Sequence, residues 1–299
     1  MSRLTSPFLM SIQKLVIAGV GLIGGSLALA LREAGAVGQI VGIGRSRSSL
    51  QHALALGVID DIAESIESAL AGADIVVLAA PVAQTPALLA AMAPYLRGDT
   101  IVTDAGSTKG DAVVAAHAAL GADAWRFVPA HPIAGGELSG VDAARADLYR
   151  GKRAIVCPLP ENRVADVARI EQMWRCAGAL VKHMTPGQHD AVFAAVSHLP
   201  HILSYALVAQ ILDSSYADLK LDNAGAGFRD FTRIAASNPE MWRDICLANG
   251  AALLGEIDGY MAMLQDIRRM LAAADGASLQ RLFSRASRAR LDWGKLQGK

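Results

Sequence analysis

Four polar clusters interrupt an otherwise apolar chain at positions where packing alone would not require them. They are residues 104–110 (DAGSTKG), 131–140 (HPIAGGELSG), 197–201 (SHLPH) and 225–233 (GAGFRDFTR), the last followed by 238–243 (NPEMWR). A histidine such as His131 accepts a proton near neutral pH, because its ordinary pKa is about 6.5. Arg229 and Arg233 are one helical turn apart and can share a face, which suits an acidic ligand. These residue types favour acid–base chemistry on an anionic substrate.

The elements that hold the first two clusters alternate along the chain. Apolar runs of buried-strand type lie at residues 15–18, 40–43, 75–79, 100–103, 126–128, 154–157 and 180–184. Helical patterns lie between them, for example at 49–56, 85–93 and 109–120. This alternation predicts an α/β fold with a Rossmann-type, doubly wound and mostly parallel sheet. Because clusters 104–110 and 131–140 follow strands, we expect both to border one crevice at the carboxyl edge of the sheet.

The pattern changes after Thr185-Pro186, which is a helix start signal. Residues 188–299 have helical spacing and no strand-like alternation. We therefore predict two domains, a dinucleotide-binding domain at 12–184 and an all-helical substrate and dimerisation domain at 185–299. Apolar residues on close turns, such as Leu254 and Met261, favour a homodimer through the helical half, with a compact monomer as the alternative.

A glycine fingerprint of the form GxGxxG occupies residues 19–24, between the first predicted strand and a helical pattern. In this context Gly19 permits a tight turn, Gly21 lets the backbone approach a pyrophosphate, and Gly24 lets helix and strand pack closely. The N–H groups at the helix N-terminus then face the phosphates. The motif predicts a dinucleotide site, with these residues expected at the cofactor: Gly19, Gly21, Leu22, Ile23, Gly24, Arg45, Ser46, Arg47, Ala80 and Pro81.

The stretch after the fingerprint bears on which dinucleotide is used. Sites for NAD often carry an acidic residue about 20 positions after the glycines, which binds the ribose hydroxyls. Between Glu33 and Asp60 this chain has no acidic residue, and residues 44–47 read GRSR. A carboxylate would repel a 2′-phosphate by roughly 4 kcal/mol at 4 Å and an effective dielectric near 20, whereas arginine attracts it. We expect NADP or NAD, with NADP used at least as well as NAD, unless the two arginines are only a solvated surface pair.

Composition excludes several classes of function. The 299 residues are 53% hydrophobic and have a formal net charge of zero, so no basic field indicates nucleic acid or an anionic membrane. Charged residues and glycines interrupt the apolar runs, so no transmembrane helix is expected. Cys157, Cys176 and Cys246 are dispersed, which is typical of free thiols in the cytoplasm. His198 and His201 lack a third ligand nearby, so no metal site is expected.

Together the motifs GxGxxG, GSTKG, HPIAGGELSG, SHLPH, GFRDFTRIA and NPEMWRD, in this order, resemble the prephenate/arogenate (cyclohexadienyl) dehydrogenases of tyrosine biosynthesis. The resemblance runs from about Lys14 to Asp244 and covers both predicted domains. It implies an NAD(P)-dependent oxidative decarboxylation of prephenate, arogenate or both to 4-hydroxyphenylpyruvate or tyrosine. In that reaction hydride passes from the ring carbinol carbon to nicotinamide, and the ring carboxylate leaves as CO2.

The resemblance also implies roles for single residues. His131 matches the catalytic histidine that polarises the carbinol hydroxyl. Ser107 matches a serine that hydrogen-bonds this histidine or the substrate hydroxyl, although a helix N-cap is also compatible with its position. Arg233 matches the arginine that binds the substrate carboxylate.

Four further residues are expected around the substrate on the same basis. His201 matches a residue that contacts substrate from the helical half, whereas His198 is expected to be a buried, hydrogen-bonded histidine. Trp242 matches an aromatic that closes the pocket, from the same or the partner subunit. Asp230 is expected to pair with an arginine near the entrance, and Glu137 to lie near the side chain of the substrate. The choice between prephenate and arogenate stays open.

Two other functions are compatible with parts of the pattern. A β-hydroxyacid-type dehydrogenase shares the layout but depends on a lysine early in its helical domain, and the lysines after residue 184 are only Lys220, Lys295 and Lys299. A noncatalytic NADP-binding regulator needs the glycine loop but does not need His131, Ser107 and Arg233 together.

Overall fold

Six parallel strands form the central sheet of the protein. The computed structural model describes residues 12–136 and 138–297. Its strands are β1 (Ile12–Ala18), β2 (Val37–Ile43), β3 (Asp61–Ile62), β4 (Ile75–Leu78), β5 (Ile101–Asp104) and β6 (Phe127–Val128), in the order β3-β2-β1-β4-β5-β6. The order reverses between β1 and β4, and open parallel sheets bind ligands at the carboxyl ends of the strands at such a point. The predicted Rossmann-type, doubly wound fold is confirmed.

Helices cover both faces of this sheet. They are α1 (Leu22–Glu33), α2 (Arg47–Ala55), α3 (Ile66–Leu70), α4 (Thr85–Met92), α5 (Gly110–Leu120) and α6 (Val164–Cys176). Successive side chains of β1 enter opposite cores: Leu15 and Ile17 join one hydrophobic cluster, and Val16 joins the other. Burial on both faces explains why the strands are continuous apolar runs rather than alternating ones.

A second, three-stranded sheet was not expected from the sequence. Its strands are β7 (Ala130–Pro132), β8 (Arg153–Val156) and β9 (Leu180–His183); β7 is antiparallel to β8, and β8 is parallel to β9. The prediction that the later strands would extend the first sheet is therefore wrong. Pro129 separates β6 from β7, and because proline has no N–H group it cannot continue the ladder. After Pro129 the chain pairs with β8 instead, so His131 lies in a strand rather than in a loop.

The predicted helix start at Thr185 is confirmed, with a capping box between Thr185 and Gln188. Helix α7 (Pro186–Phe193) runs through a π-helical turn (Ala194–His198) into α8 (Leu199–Leu212) without a break. By length and mean hydropathy (1.5) this continuous helix could cross a membrane. The premise that charged residues and glycines interrupt every apolar run is wrong, because residues 191–212 contain none of them. The helix also carries the buried His189 and His198, whose hydrogen bonds are described below, and one such helix is weak evidence for a membrane.

The rest of the described chain is helical, as predicted. The helices are α9 (Ala217–Asp222), α10 (Ala226–Thr232), a 3-10 helix (Arg233–Ala236), α11 (Pro239–Ala248), α12 (Gly250–Ala272) and α13 (Gly276–Gln297). Contacts divide the chain into two compact units, residues 1–250 and residues 251–299. In the second unit large apolar side chains are exposed, including those of Leu254 and Trp293. The boundary near residue 184 stays a prediction.

Candidate active site

The glycine loop joins β1 to α1 at the point where the strand order reverses. Gly19 has φ +100°, and a Cβ atom there would lie 2.7 Å from the carbonyl oxygen of Ala79. At Gly24 a Cβ would overlap the carbonyl oxygen of Gly19 and lie 2.8 Å from Ile17 Cγ2. These two glycines are therefore required by packing alone.

Gly21 is different, because a Cβ atom there would meet nothing within 4 Å. The residue is the N-cap of α1, where it supplies no side-chain hydrogen bond, and no acidic residue lies in the first turn. Backbone N–H groups at such a helix end are suited to a pyrophosphate. The loop therefore fits a dinucleotide. Leu22, at the start of α1, lies close to Gly136 of the loop that follows β7.

The predicted selectivity loop follows β2. Arg45, Ser46 and Arg47 are all exposed. The Ser46 hydroxyl caps α2 by accepting a hydrogen bond from the Ser49 N–H at 3.2 Å, and it lies 3.0 Å from the Ser48 hydroxyl. Two guanidinium groups, three serine hydroxyls and a helix N-terminus thus occur together here, a combination that suits an anion.

His131 is the first member of a hydrogen-bonded chain of three side chains. Its Nδ1 atom lies 2.8 Å from His189 Nε2, and His189 Nδ1 lies 2.8 Å from Asp190 Oδ1. The ring of Phe193 packs against both imidazoles, with centroid distances of 5.1 Å to His131 and 4.5 Å to His189. Burial, with smaller contributions from His189 and Lys109, holds the pKa of His131 well below its ordinary value. His131 is therefore neutral at physiological pH.

Asp190 connects this chain to the loop after β5. Its two carboxylate oxygens accept backbone hydrogen bonds from Lys109 at 2.9 Å and Gly110 at 2.7 Å, at the N-terminus of α5. Burial acts to raise the pKa of Asp190, but the bonds from His189, Gly110 and Lys109 outweigh it and keep the pKa below its ordinary value. The carboxylate is therefore ionised and fixed. The sequence reasoning missed both His189 and Asp190, although an adjacent polar pair in an apolar helix was an available signal.

A buried ion pair fixes the strand that carries His131. Lys109 Nζ donates to Asp104 Oδ2 and, at 2.9 Å, to the carbonyl oxygen of Ala130. The carboxylate of Asp104 also accepts the N–H groups of Ala130 and Gly106, each at 3.0 Å. Lys109 is fully buried and Asp104 nearly so. The pair therefore joins β5, the 104–110 loop and β7, which the sequence reasoning did not foresee for Lys109.

His198 holds the same loop from the helical side. It is buried, as expected, and its Nδ1 atom lies 3.0 Å from Asn249 Nδ2, which also donates to the carbonyl oxygen of Asp190 at 2.9 Å. It also interacts with the backbone of Ser107 through a hydrogen bond. Burial lowers the pKa of His198 to about 4. The role predicted for the Ser107 hydroxyl stays a prediction, since the contact recorded for Ser107 is through its backbone.

His201 and Trp242 form a second group of interacting side chains. Their rings are stacked, with centroids 3.5 Å apart and an interplanar angle of 20°. Trp242 packs against Val82, just after Ala80 and Pro81, and its Nε1 atom is buried without a hydrogen-bond partner in the described part of the chain. Burial lowers the pKa of His201, and the charge of Arg233 acts in the same direction. The structure thus brings Arg233 into electrostatic range of His201.

The remaining predicted residues are exposed or lie outside the residues that the structure describes. Arg233 begins the 3-10 helix and is exposed, and Asp230 is exposed on α10. Glu137 lies outside the described residues. Within residues 12–136 and 138–297 no group of three His, Cys, Asp or Glu side chains has the geometry of a metal site.

Comparisons with known proteins agree with this geometry. Residues 27–183 match the family described as prephenate dehydrogenase, nucleotide-binding domain, and residues 185–285 match prephenate dehydrogenase, dimerization domain. The chain is 38% identical to the prephenate dehydrogenase of Bacillus subtilis (strain 168) over 275 residues, which cover 91% of this chain and 74% of that protein.

Solved structures give the same result. The prephenate dehydrogenase from A. aeolicus in complex with hydroxyphenyl propionate and NAD+ has a TM-score of 0.88 at 36% identity, covering 95% of this chain and 99% of that chain. The Synechocystis arogenate dehydrogenase has a TM-score of 0.81 at 27% identity, covering 94% of this chain and all of that chain (100%). The helical part matches a dimerisation domain, in agreement with the expected homodimer. The chain therefore belongs to the prephenate dehydrogenase family and is a nicotinamide-dependent oxidoreductase.

Proposed function

We propose that this protein catalyses the NAD(P)-dependent oxidative decarboxylation of prephenate, arogenate or both, giving 4-hydroxyphenylpyruvate or tyrosine. One observation carries the proposal: a neutral histidine, His131, is held by a fixed hydrogen-bonded chain on β7, and the loop after β7 lies close to Leu22, at the glycine loop that fits a dinucleotide. Relatives named as prephenate and arogenate dehydrogenases support the choice of substrates.

His131 accepts the proton of the carbinol hydroxyl. With Nδ1 bonded to His189, the Nε2 atom is the ring nitrogen left for the substrate. The low pKa keeps the ring neutral before reaction, so that it can accept a proton, and a positioned general base contributes about 10²–10⁴-fold in rate. When bound, the nicotinamide supplies the hydride acceptor. As the ring carboxylate leaves as CO2, the electrons of the broken bond enter the ring, and the ring oxygen takes the proton back from His131.

The other predicted residues bind and enclose the substrate. Arg233 holds a substrate carboxylate through charge-assisted hydrogen bonds of about 1.5–3 kcal/mol each. Ser107 orients the hydroxyl. His201 and Trp242, whose rings are stacked, form a flat wall beside the substrate. Asp230 acts at the entrance and Glu137 near the substrate side chain.

For the cofactor, we propose that NADP is used at least as well as NAD. The support is the exposed Arg45 and Arg47 beside the Ser46 cap of α2, with no carboxylate between Glu33 and Asp60. A cytoplasmic location is proposed on the free cysteines Cys157, Cys176 and Cys246 and on the resemblance to biosynthetic enzymes.

The test is a kinetic matrix of two substrates and two cofactors, following reduced nicotinamide by absorbance and CO2 release in parallel. We expect one CO2 for each hydride transferred, and a loss of kcat of about 10²–10⁴-fold in His131→Asn. An Arg233→Ala variant should raise KM more than it lowers kcat. Tight cofactor binding without turnover of either substrate would instead favour a noncatalytic NADP-binding regulator.

A further inference from the structure

We propose that His189 and Asp190 are positioning residues that fix the tautomer of His131, so that its Nε2 atom presents a lone pair to the substrate hydroxyl. The inference rests on the proposed function of His131. Its basis is a chain of two hydrogen bonds, each 2.8 Å long, that runs from His131 through His189 to Asp190.

The direction of each hydrogen bond follows from the anchoring of Asp190. Both oxygens of its carboxylate accept backbone N–H groups at the N-terminus of α5, so the group is an ionised acceptor in a favourable place on the helix dipole. A carboxylate has no proton to donate. His189 must therefore carry its proton on Nδ1, directed at Asp190.

The proton position on His189 determines the proton position on His131. His189 is fully buried, and burial lowers its pKa, so the ring is neutral and has a single proton. With that proton on Nδ1, its Nε2 atom is an acceptor. The bond to His131 can form only if His131 Nδ1 is the donor. A neutral His131 then has its lone pair on Nε2, as a proton acceptor for the substrate requires.

The chain also stabilises the charge that develops in the reaction. When His131 Nε2 takes the carbinol proton, the new imidazolium lies two hydrogen bonds from the carboxylate of Asp190. The other ionisable groups around His131 are Lys109, which is paired with Asp104, and His198, together with the buried thiol of Cys157. Asp190 is the carboxylate linked to His131 by hydrogen bonds. His131 and His189 both keep their Nδ1 protons while His131 Nε2 holds the proton of the substrate.

The arrangement differs from ordinary packing in one respect. His131, on β7, and His189, on α7, are 58 residues apart in sequence, and the ring of Phe193 covers both. A purely structural contact between these elements would need no defined proton positions. Here each ring nitrogen of the hydrogen-bonded chain either carries a proton or accepts one, because the chain ends at the Asp190 carboxylate, whose oxygens already accept backbone N–H groups.

Three variants test the proposal through the pH profile. In His189→Phe the acceptor for His131 Nδ1–H is lost, and we expect kcat to fall by about 10²–10⁴-fold, with KM changed by less than about threefold. In Asp190→Asn the negative charge is lost as well, so the pKa of His131 falls and the acid limb of the kcat profile moves to lower pH. His189→Gln restores an acceptor oxygen near the position of Nε2 and should recover part of the rate.

The matched control is His183→Phe. His183 is an exposed histidine at the end of β9 that also bonds to a carboxylate, Glu171, at 2.7 Å. This variant should leave kcat and the pH profile unchanged. If His189→Phe keeps the wild-type kcat, or if its rate falls only in proportion to the folded fraction with no recovery in His189→Gln, the positioning role is refuted.

A direct measurement does not depend on whether the variants fold. Nitrogen NMR of the wild-type protein with labelled histidine should show the proton of His131 on Nδ1 above its pKa. A proton on Nε2 would overturn the proposal. This readout is also independent of the proposed reaction: if the wild type oxidises neither substrate, the proposed function fails while the tautomer can still be determined.

Discussion

Replacing Lys109 by methionine tests the buried ion pair that holds the His131 strand. Lys109 has no exposed surface and Asp104 is 2% exposed, so the carboxylate cannot regain water when the ammonium group is removed. Methionine keeps most of the side-chain volume and removes the charge. Breaking a buried pair by removing one partner costs about 3–5 kcal/mol. Asp104 keeps its bonds from Gly106 and Ala130, which places the expected loss at the lower end, about 3 kcal/mol.

The assay is equilibrium unfolding in urea, monitored by far-ultraviolet circular dichroism at constant protein concentration. Lys182→Met is the matched control, because Lys182 is an exposed residue of β9 and its replacement should leave stability unchanged. Methionine at both positions 104 and 109 removes the uncompensated charge and should recover part of the loss, although two backbone N–H groups then lose their acceptor. A loss below about 1 kcal/mol in Lys109→Met would refute the reasoning, since it would mean that Asp104 is either protonated or hydrated in the folded protein.

Three further predictions concern the cofactor and pH. Gly24→Ala should destabilise the protein by about 1–3 kcal/mol, because its methyl group would overlap backbone atoms. Gly21→Ala has open space around its methyl group, so it should leave the free energy of unfolding nearly unchanged and weaken NADP+ binding measured by calorimetry. Equal stability losses in the two variants would contradict this. The double variant Arg45→Gln/Arg47→Gln should raise KM for NADP+ by about tenfold and leave KM for NAD+ unchanged; equal effects on both cofactors would show that the arginines do not contact the 2′-phosphate. The pKa of His198 is lowered to about 4 in the folded state, so below pH 6.5 the unfolded state binds more protons than the folded state. This group should therefore lower the free energy of unfolding by about 2 kcal/mol between pH 7 and pH 5. In urea unfolding at these two pH values, His198→Gln should lose less stability than the wild type.

Local sequence patterns predicted most of the parallel sheet. Strands such as Ile75–Leu78 and Ile101–Asp104 begin and end within one or two residues of the predicted runs. They are buried on both faces, so most of their residues are apolar and the runs can be seen locally in the sequence. β7 escaped prediction because three residues, one of them proline, carry no alternation. Its partner β8 lies more than 20 residues away, and pairing over that distance leaves no local pattern.

The sequence predicts single site residues but not the hydrogen bonds between them. His131 and Ser107 are predicted because they belong to recognisable motifs. Asp190 and Asn249 are not, since each acts through a bond to a residue far away in sequence: Asp190 to Lys109, 81 residues away, and Asn249 to Asp190, 59 residues away. Such bonds depend on which elements the fold brings together, and composition or spacing cannot show them.

The contacts of the 104–110 loop also bear on Ser107. The sequence left two roles open for its hydroxyl, a helix cap or a contact with substrate. In the structure α5 is capped by Asp190, which accepts the N–H groups of Lys109 and Gly110, and no side chain at the N-cap position contributes. The Ser107 backbone is hydrogen-bonded to His198. Because capping is supplied from α7, the fold does not require the hydroxyl for this purpose, and a role for Ser107 toward the substrate is the one that the contacts favour.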